Sequence, residues 1–328
     1  MKISVLGCGR WGSFIAWYLC NRGHDVYSWG PEDDYSYQIL KETEKNEYVT
    51  LDKRISLTCN LKAAVEHAET IIISISSQGL RGFVARIKEY DIQNKNFVLC
   101  MKGIEVETGN RLSEVLTQSG ISPDKIAVWV GPGHIQAFTQ GIPNCMVIDS
   151  QNDELKRMLA DAFKSELIRF YYGSDLIGTE IGAAAKNVMG IVAGVLDGCG
   201  YSSLKGSLMS RGAWEVAKLI KAMGGNELSA YGLAHLGDYE ATLFSEYSHN
   251  RKYGEMLVQN ATFSKLAEGV PTAAAMKKLG EAYGVELPIT CAVYELCYEE
   301  KGGLSNAERA RGMLARLFSR DTKSEFNC

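Results

Sequence analysis

Ile3-Ser4-Val5-Leu6-Gly7-Cys8-Gly9-Arg10-Trp11-Gly12 is the stretch on which the fold turns. A short apolar run suited to a buried strand leads directly into G-x-G-x-x-G. The turn opens an amphipathic segment, Trp11 to Cys20, which Asn21, Arg22 and Gly23 terminate before the next strand-like run. The glycine pattern is short and carries little information alone; its place between a strand and a helix gives it meaning. There Gly7 permits the tight turn, Gly9 lets a pyrophosphate approach the backbone, and Gly12 allows close helix packing, with the helix N-terminus facing the phosphates. The segment predicts a dinucleotide-binding unit.

Working outward, strand-like runs at Asp25 to Trp29, Thr70 to Ser74, Phe97 to Met101, Ala127 to Val130 and Cys145 to Ile148 alternate with helical stretches up to about residue 172. Most are unbroken apolar runs, as expected of parallel strands covered on both faces. After Asp175 the texture becomes helical, with period-3.6 patterns in Ser210 to Met223, Pro271 to Tyr283 and Pro288 to Tyr298. Pro271 and Pro288 stand where helices could begin, and Gly224, Gly284 and Gly302 where they could end. The expected architecture is an α/β doubly wound Rossmann-type sheet (1–174) followed by an all-α domain (175–328). The tail after Arg320 is polar and expected to fray.

The 328 residues, 46% apolar and 23% charged, describe an ordinary globular chain long enough for two cores. A net charge of -4 with dispersed Lys and Arg argues against a nucleic-acid partner. Nine cysteines, an odd number without CxxC or zinc-ligand spacing, suit reduced thiols and no metal site. The strand beginning at Ile3 leaves no room for a signal peptide, so export is not expected and a cytoplasmic location is. Ile181 to Leu196 falls short of the roughly 20 apolar residues of a membrane span and reads as a buried helix. Leftover apolar helix faces make a homodimer the expected assembly.

The second strand is followed by Glu32-Asp33-Asp34, without Arg or Lys. Acids here accept from a free ribose hydroxyl and repel a 2′-phosphate, favouring NAD over NADP, unless they form only a solvated loop. Lys186 lies in Glu180-Ile181-Gly182-Ala183-Ala184-Ala185-Lys186-Asn187-Val188, a helix otherwise made of small core residues. A lysine there either snorkels to the helix edge or reaches a polar cleft, where partial burial would lower its pKa into a range useful for proton transfer.

Beyond the glycine turn, the chain carries Ser77-Gln78-Gly79-Leu80-Arg81, Met101-Lys102-Gly103-Ile104-Glu105 and Val130-Gly131-Pro132. Later come Glu180 to Val188, Ser210-Arg211-Gly212, Leu236-Gly237-Asp238, Ser248-His249-Asn250-Arg251-Lys252 and Glu268-Gly269-Val270. In this order and over nearly the whole chain, these motifs resemble the NAD(P)-dependent sn-glycerol-3-phosphate dehydrogenase family, whose members reduce dihydroxyacetone phosphate to glycerol 3-phosphate. The resemblance implies Lys186 as general acid and base, Lys102 beside substrate and cofactor, and Asp238 pairing with both lysines while also able to cap a helix. It implies a small-molecule substrate held by Lys102, Gly131, Asn187, Thr242, Ser248, His249 and Asn250. The cofactor would be held by Gly7, Gly9, Arg10, Trp11, Gly12, Gln78, Lys102, Ile135, Arg251 and Glu268.

Two stretches depart from the family. His249 stands where members have an arginine that clamps the substrate phosphate, leaving Arg251 or Lys252 as replacement cations. In Gly131-Pro132-Gly133-His134-Ile135-Gln136-Ala137, Gly133 replaces a Ser or Asn, and His134 adds a titratable group that could meet substrate or stack at the domain joint. A related dehydrogenase acting on another small hydroxy or keto compound, and an NAD-sensing protein without chemistry, are the rival readings.

Overall fold

The computed structural model describes residues 1–299, 302–322 and 324–325. The other tail residues lie outside the described residues. The sheet comprises β1 (Lys2–Leu6), β2 (Asp25–Trp29), β3 (Ser56–Thr58), β4 (Thr70–Ile73), β5 (Asn96–Leu99), β6 (Ile126–Val130), β7 (Asn144–Ser150) and β8 (Ile168–Tyr172), in the order β3-β2-β1-β4-β5-β6-β7-β8.

Apolar residues on both faces explain the unbroken strand runs. Ile72 and Val98 pack with the Arg10–Asn21 helix on one face, whereas Ile71, Ile73, Phe97 and Leu99 pack with the Leu80–Ile87 and Leu112–Gln118 helices on the other.

The sheet is not wholly parallel, contrary to the sequence expectation: β7 runs antiparallel to β6 and parallel to β8. The connection 131–143 holds only the short helix Ile135–Thr139 and returns at the sheet edge where β6 leaves. β3 and β8 were not anticipated. β3 has only three residues, none buried, and β8 reads Ile-Arg-Phe-Tyr-Tyr with exposed Arg169, Tyr171 and Tyr172, so neither shows a core-strand pattern.

After β8 the chain enters the 23-residue helix Leu176–Gly198, buried over nearly its whole length. It is longer than the sequence run suggested and long enough to cross a membrane, but its apolar surface is taken up by neighbouring helices rather than left for lipid. Around it pack Lys205–Ala222, His249–Val258, Gly269–Tyr283 and Pro288–Tyr298. Gly284 closes the third of these in a left-handed conformation, as expected, whereas the last ends at Tyr298 before Gly302 is reached. Pro271 sits inside the first turn of its helix, which starts at Gly269.

The pairing of Leu176–Gly198 with His249–Val258 rests on Gly194, where a Cβ would lie 1.8 Å from the Arg251 carbonyl oxygen. Because that obstacle is backbone, the partner helix itself must move. Gly194→Ala is expected to destabilise the helical half by about 2 kcal/mol or more, as overpacking does, seen as a lower urea midpoint at unchanged slope.

Candidate active site

The carboxyl ends of β1, β4, β5 and β6 deliver Gly7 to Gly9, Ser74 to Ser76, Cys100 to Lys102 and Gly131 to His134 to one edge of the sheet, where strand order reverses between β1 and β4. Here a crevice of about 880 Å³ opens against the helical half. A cavity of similar size, about 900 Å³, lies elsewhere, between Leu196, Trp214, Val285 and Leu317; it touches neither the glycine turn nor Lys102 or Lys186.

The turn fits a dinucleotide. Gly7 has φ +110°, and a Cβ on Gly12 would lie 1.6 Å from the Gly7 carbonyl oxygen, so both must be glycine for the helix to sit against the turn. A Cβ on Gly9 would meet nothing within 4 Å, and Gly9 caps the helix without any side-chain hydrogen bond. The first helical amides therefore face an open cradle suited to an anion.

At the other end the lysines meet. Asp238 Oδ2 lies 2.7 Å from Lys102 Nζ and 2.8 Å from Lys186 Nζ. Lys102 also donates to the Gly131 carbonyl at 2.8 Å, and Lys186 to Thr242 Oγ1 at 2.9 Å. Burial lowers the Lys186 pKa to about 8; Asp238 opposes that shift and Lys102 adds to it. Asp238 ends a 3-10 turn, Leu236–Asp238, and Thr242 sits in the π-helical turn Glu240–Phe244 that follows. Asp238 turns its carboxylate to the lysines rather than capping a helix.

Asn187 fastens this arrangement. Its Nδ2 donates to the Lys102 carbonyl at 2.9 Å, its Oδ1 accepts from Asn250 Nδ2 at 3.0 Å, and Asn250 Oδ1 accepts from the Gly269 amide at 2.9 Å. Ser248 lines the crevice while capping the His249–Val258 helix. Glu268 lines it too, with its carboxylate accepting from Ser77 N and Oγ at 3.1 and 2.6 Å.

Other expected site residues serve the walls. Gln78 bridges Ile104 and Val106, Ile135 is fully buried in the core, and Gly131 contributes the carbonyl that holds Lys102. Arg251 turns away from the crevice, its Nε 2.6 Å from Asp197, and Lys252 is exposed outside it. Neither cation proposed to replace the missing arginine reaches the site. Arg81 and Glu105, from two separate motifs, form a bidentate pair at 2.7 Å in each arm, which is structural.

Three features escaped the sequence reading. His235 Nδ1 and the Gly182 carbonyl are 2.8 Å apart, and His235 Nε2 bonds the Tyr239 hydroxyl at 2.7 Å, anchoring the Asp238 turn to the helix one turn before Lys186. The His-x-x-x-Tyr spacing around Leu236-Gly237-Asp238 was the only available signal. Arg86, from the Leu80–Ile87 helix, sits over the Trp29 ring at the end of the crevice lined by Pro31 and Asp34, with no local pattern to announce it. Finally, Gly133 has φ +142°, and a Cβ there would lie 2.5 Å from the Phe138 ring, so the family's Ser or Asn has no room.

Opposite shifts in Lys186 titration are expected from its two neighbours. Asp238→Asn should move loss of its proton below pH 8, and Lys102→Met should move it above, measured as the pH dependence of labelling by an amine reagent.

Residues 2–156 match the model of the NAD-dependent glycerol-3-phosphate dehydrogenase N-terminus, and 175–304 that of its C-terminus. The glycerol-3-phosphate dehydrogenase [NAD(P)+] of Pelodictyon phaeoclathratiforme is 32% identical over 99% of each chain. That of a Thermoanaerobacter species is 33% identical over 100% of this chain and 99% of its own. The crystal structure of glycerol-3-phosphate dehydrogenase from Coxiella burnetii superposes with a TM-score of 0.89 at 25% identity, covering 97% of this chain and 98% of that one. The crevice, its glycine turn and its shared-carboxylate lysine pair thus belong to a chain of the NAD-dependent glycerol-3-phosphate dehydrogenase family, an NAD(P)-dependent dehydrogenase.

Proposed function

We propose that this chain reduces dihydroxyacetone phosphate to sn-glycerol 3-phosphate, reversibly, with NADH and with Lys186 moving the proton. The observation that carries the reading is the Lys186 ammonium, buried at the crevice, joined to Asp238 and brought to a pKa of about 8. Bound nicotinamide supplies the hydride. Lys186 hands its proton to the substrate oxygen, while Lys102, fixed by Asp238 and the Gly131 carbonyl, stabilises negative charge developing there. Thr242 and Asp238 hold the Lys186 nitrogen in one position.

Asp34 supports NADH as the cofactor, since this acidic residue lines the crevice beside Trp29 and Pro31. It also caps the following helix through the Ser36 and Tyr37 amides. Arg86 offers the opposing charge that would tolerate a 2′-phosphate. Gly133 and the neutral His249 support the rival reading, a related dehydrogenase of another small keto compound on the same lysines.

Reduction needs charged Lys186, so kcat/KM should be level below about pH 8 and fall tenfold per unit above it; glycerol 3-phosphate oxidation needs the neutral amine and should rise towards about pH 8. Lys186→Met should cost roughly 10²–10⁴-fold and abolish that inflection. Dihydroxyacetone phosphate should be reduced far faster than dihydroxyacetone when loss of NADH absorbance is followed; equal rates would turn the assignment to the rival. Arg86→Ala should raise KM for NADPH roughly tenfold, as loss of one charge-assisted contact would, and leave KM for NADH nearly unchanged.

A further inference from the structure

We propose that Arg10, in the glycine turn, is the cation that grips the substrate phosphate, reaching across the domain joint to the Tyr247–Asn250 segment. The inference rests on the dihydroxyacetone phosphate reading and identifies where that substrate's charge is met.

Elimination leads to this residue. A phosphate dianion needs a positive group, and the segment expected to bind it holds none that faces the crevice. Lys102 and Lys186 are committed to Asp238 at the reacting end. Arg251 is committed to Asp197, and Lys252 lies outside the crevice. His249 lines the crevice, but burial, then Arg10 and Lys265, lower its pKa, so it is neutral at pH 7. His134 lines it too and is held neutral, with its pKa lowered to about 4 by burial and then Arg10. The Ser248 hydroxyl is engaged as a helix cap, and the Asn250 amide is engaged by Asn187 and Gly269.

Arg10 has capacity to spare. Its Nη1 makes only a long bond, 3.3 Å, to the Tyr247 carbonyl, and its Nε is buried without any hydrogen-bond partner. Its guanidinium rests 5.5 Å from the centre of the Tyr48 ring. Among the described residues no carboxylate lies within ion-pair distance of it; Glu47 acts on it only from further away. A permanently charged group with an unsatisfied buried donor is costly unless an anion completes it. Its contact with the Tyr247 carbonyl turns it towards the start of the His249–Val258 helix, whose first amides are the other donors available to a phosphate there. The neutral His134 can add one N–H, since its Nε2 is buried without a hydrogen-bond partner. The family's guanidinium on the helix is thus exchanged for one on the glycine turn, and the His249 pKa is lowered by burial and then by Arg10.

The competing target for Arg10 is the cofactor pyrophosphate, and one experiment separates the two. For the parent, Arg10→Lys and Arg10→Ser, KM for dihydroxyacetone phosphate, the inhibition constant of inorganic phosphate and the NADH dissociation constant by fluorescence titration are measured. In Arg10→Ser, KM and the phosphate inhibition constant should rise together by roughly 10- to 100-fold, with Arg10→Lys between, while NADH binding changes less than about threefold. Retained NADH binding also reports a folded crevice. An unchanged KM, or NADH binding weakened by the same factor, overturns the assignment. Failure of the functional reading is visible separately, in a parent enzyme that does not prefer dihydroxyacetone phosphate to dihydroxyacetone.

Discussion

The Asp238 carboxylate, within ion-pair distance of both Lys102 and Lys186, is the contact on which the rest of the site depends. Two ammonium groups so close would repel each other, and in a partly buried site that repulsion is weakly screened. One shared carboxylate turns the pair into a cluster with a single net positive charge. Burial, helped by Lys102 and opposed by Asp238, lets Lys186 lose its proton at about pH 8 rather than near its ordinary value. The three groups come from a strand end, a long helix and a 3-10 turn, so the cluster forms only when the sheet and the helical half are docked.

The helix Leu176–Gly198 makes that docking possible. Its small residues let neighbouring segments approach its backbone, as at Gly182, where a Cβ would lie 3.0 Å from that of His235. The approach carries the Asp238 turn to Lys186. Polar side chains on the same helix reach back to the sheet: Glu180 pairs with Arg111 at 2.6 Å and accepts from Ser113, and Asn187 holds the Lys102 carbonyl. Burying such groups costs desolvation, and buried pairs contribute little net stability; their effect is to admit one register between the two halves.

Beside this centre, the loop after β6 carries glycine and histidine. Phe138 occupies the space that a side chain on residue 133 would need, its ring stacked on Phe14 at 5.2 Å, so the crevice wall at Gly133 and His134 is backbone and imidazole. His134 lines the crevice and also packs edge-on against Tyr247 at 5.5 Å, so the two roles open to it in sequence are compatible. His249 also lines the crevice, its pKa lowered by burial and by the nearby Arg10 and Lys265.

Much of this was legible along the chain because it is local. The strand-turn-helix at Gly7, the strand-to-helix change near Asp175, and Lys186 in a run of small residues are patterns of a few neighbours, and their physics is decided by backbone sterics and burial. The ordered motifs also carried the family and about half of the crevice lining. What the chain could not display was direction and distance between segments far apart in sequence. Nothing local says that β7 reverses, that Arg251 turns to Asp197 while Arg10 turns to Tyr247, that Arg86 stands over Trp29, or that Phe138 excludes a side chain at Gly133. Those outcomes follow from which partner lies within hydrogen-bond or van der Waals range once two cores have packed. The amino-acid order thus determined which chemical groups were available and which elements bear them; only tertiary packing decided which of them face one another across the crevice, because ionic and steric forces act through space over a few ångströms.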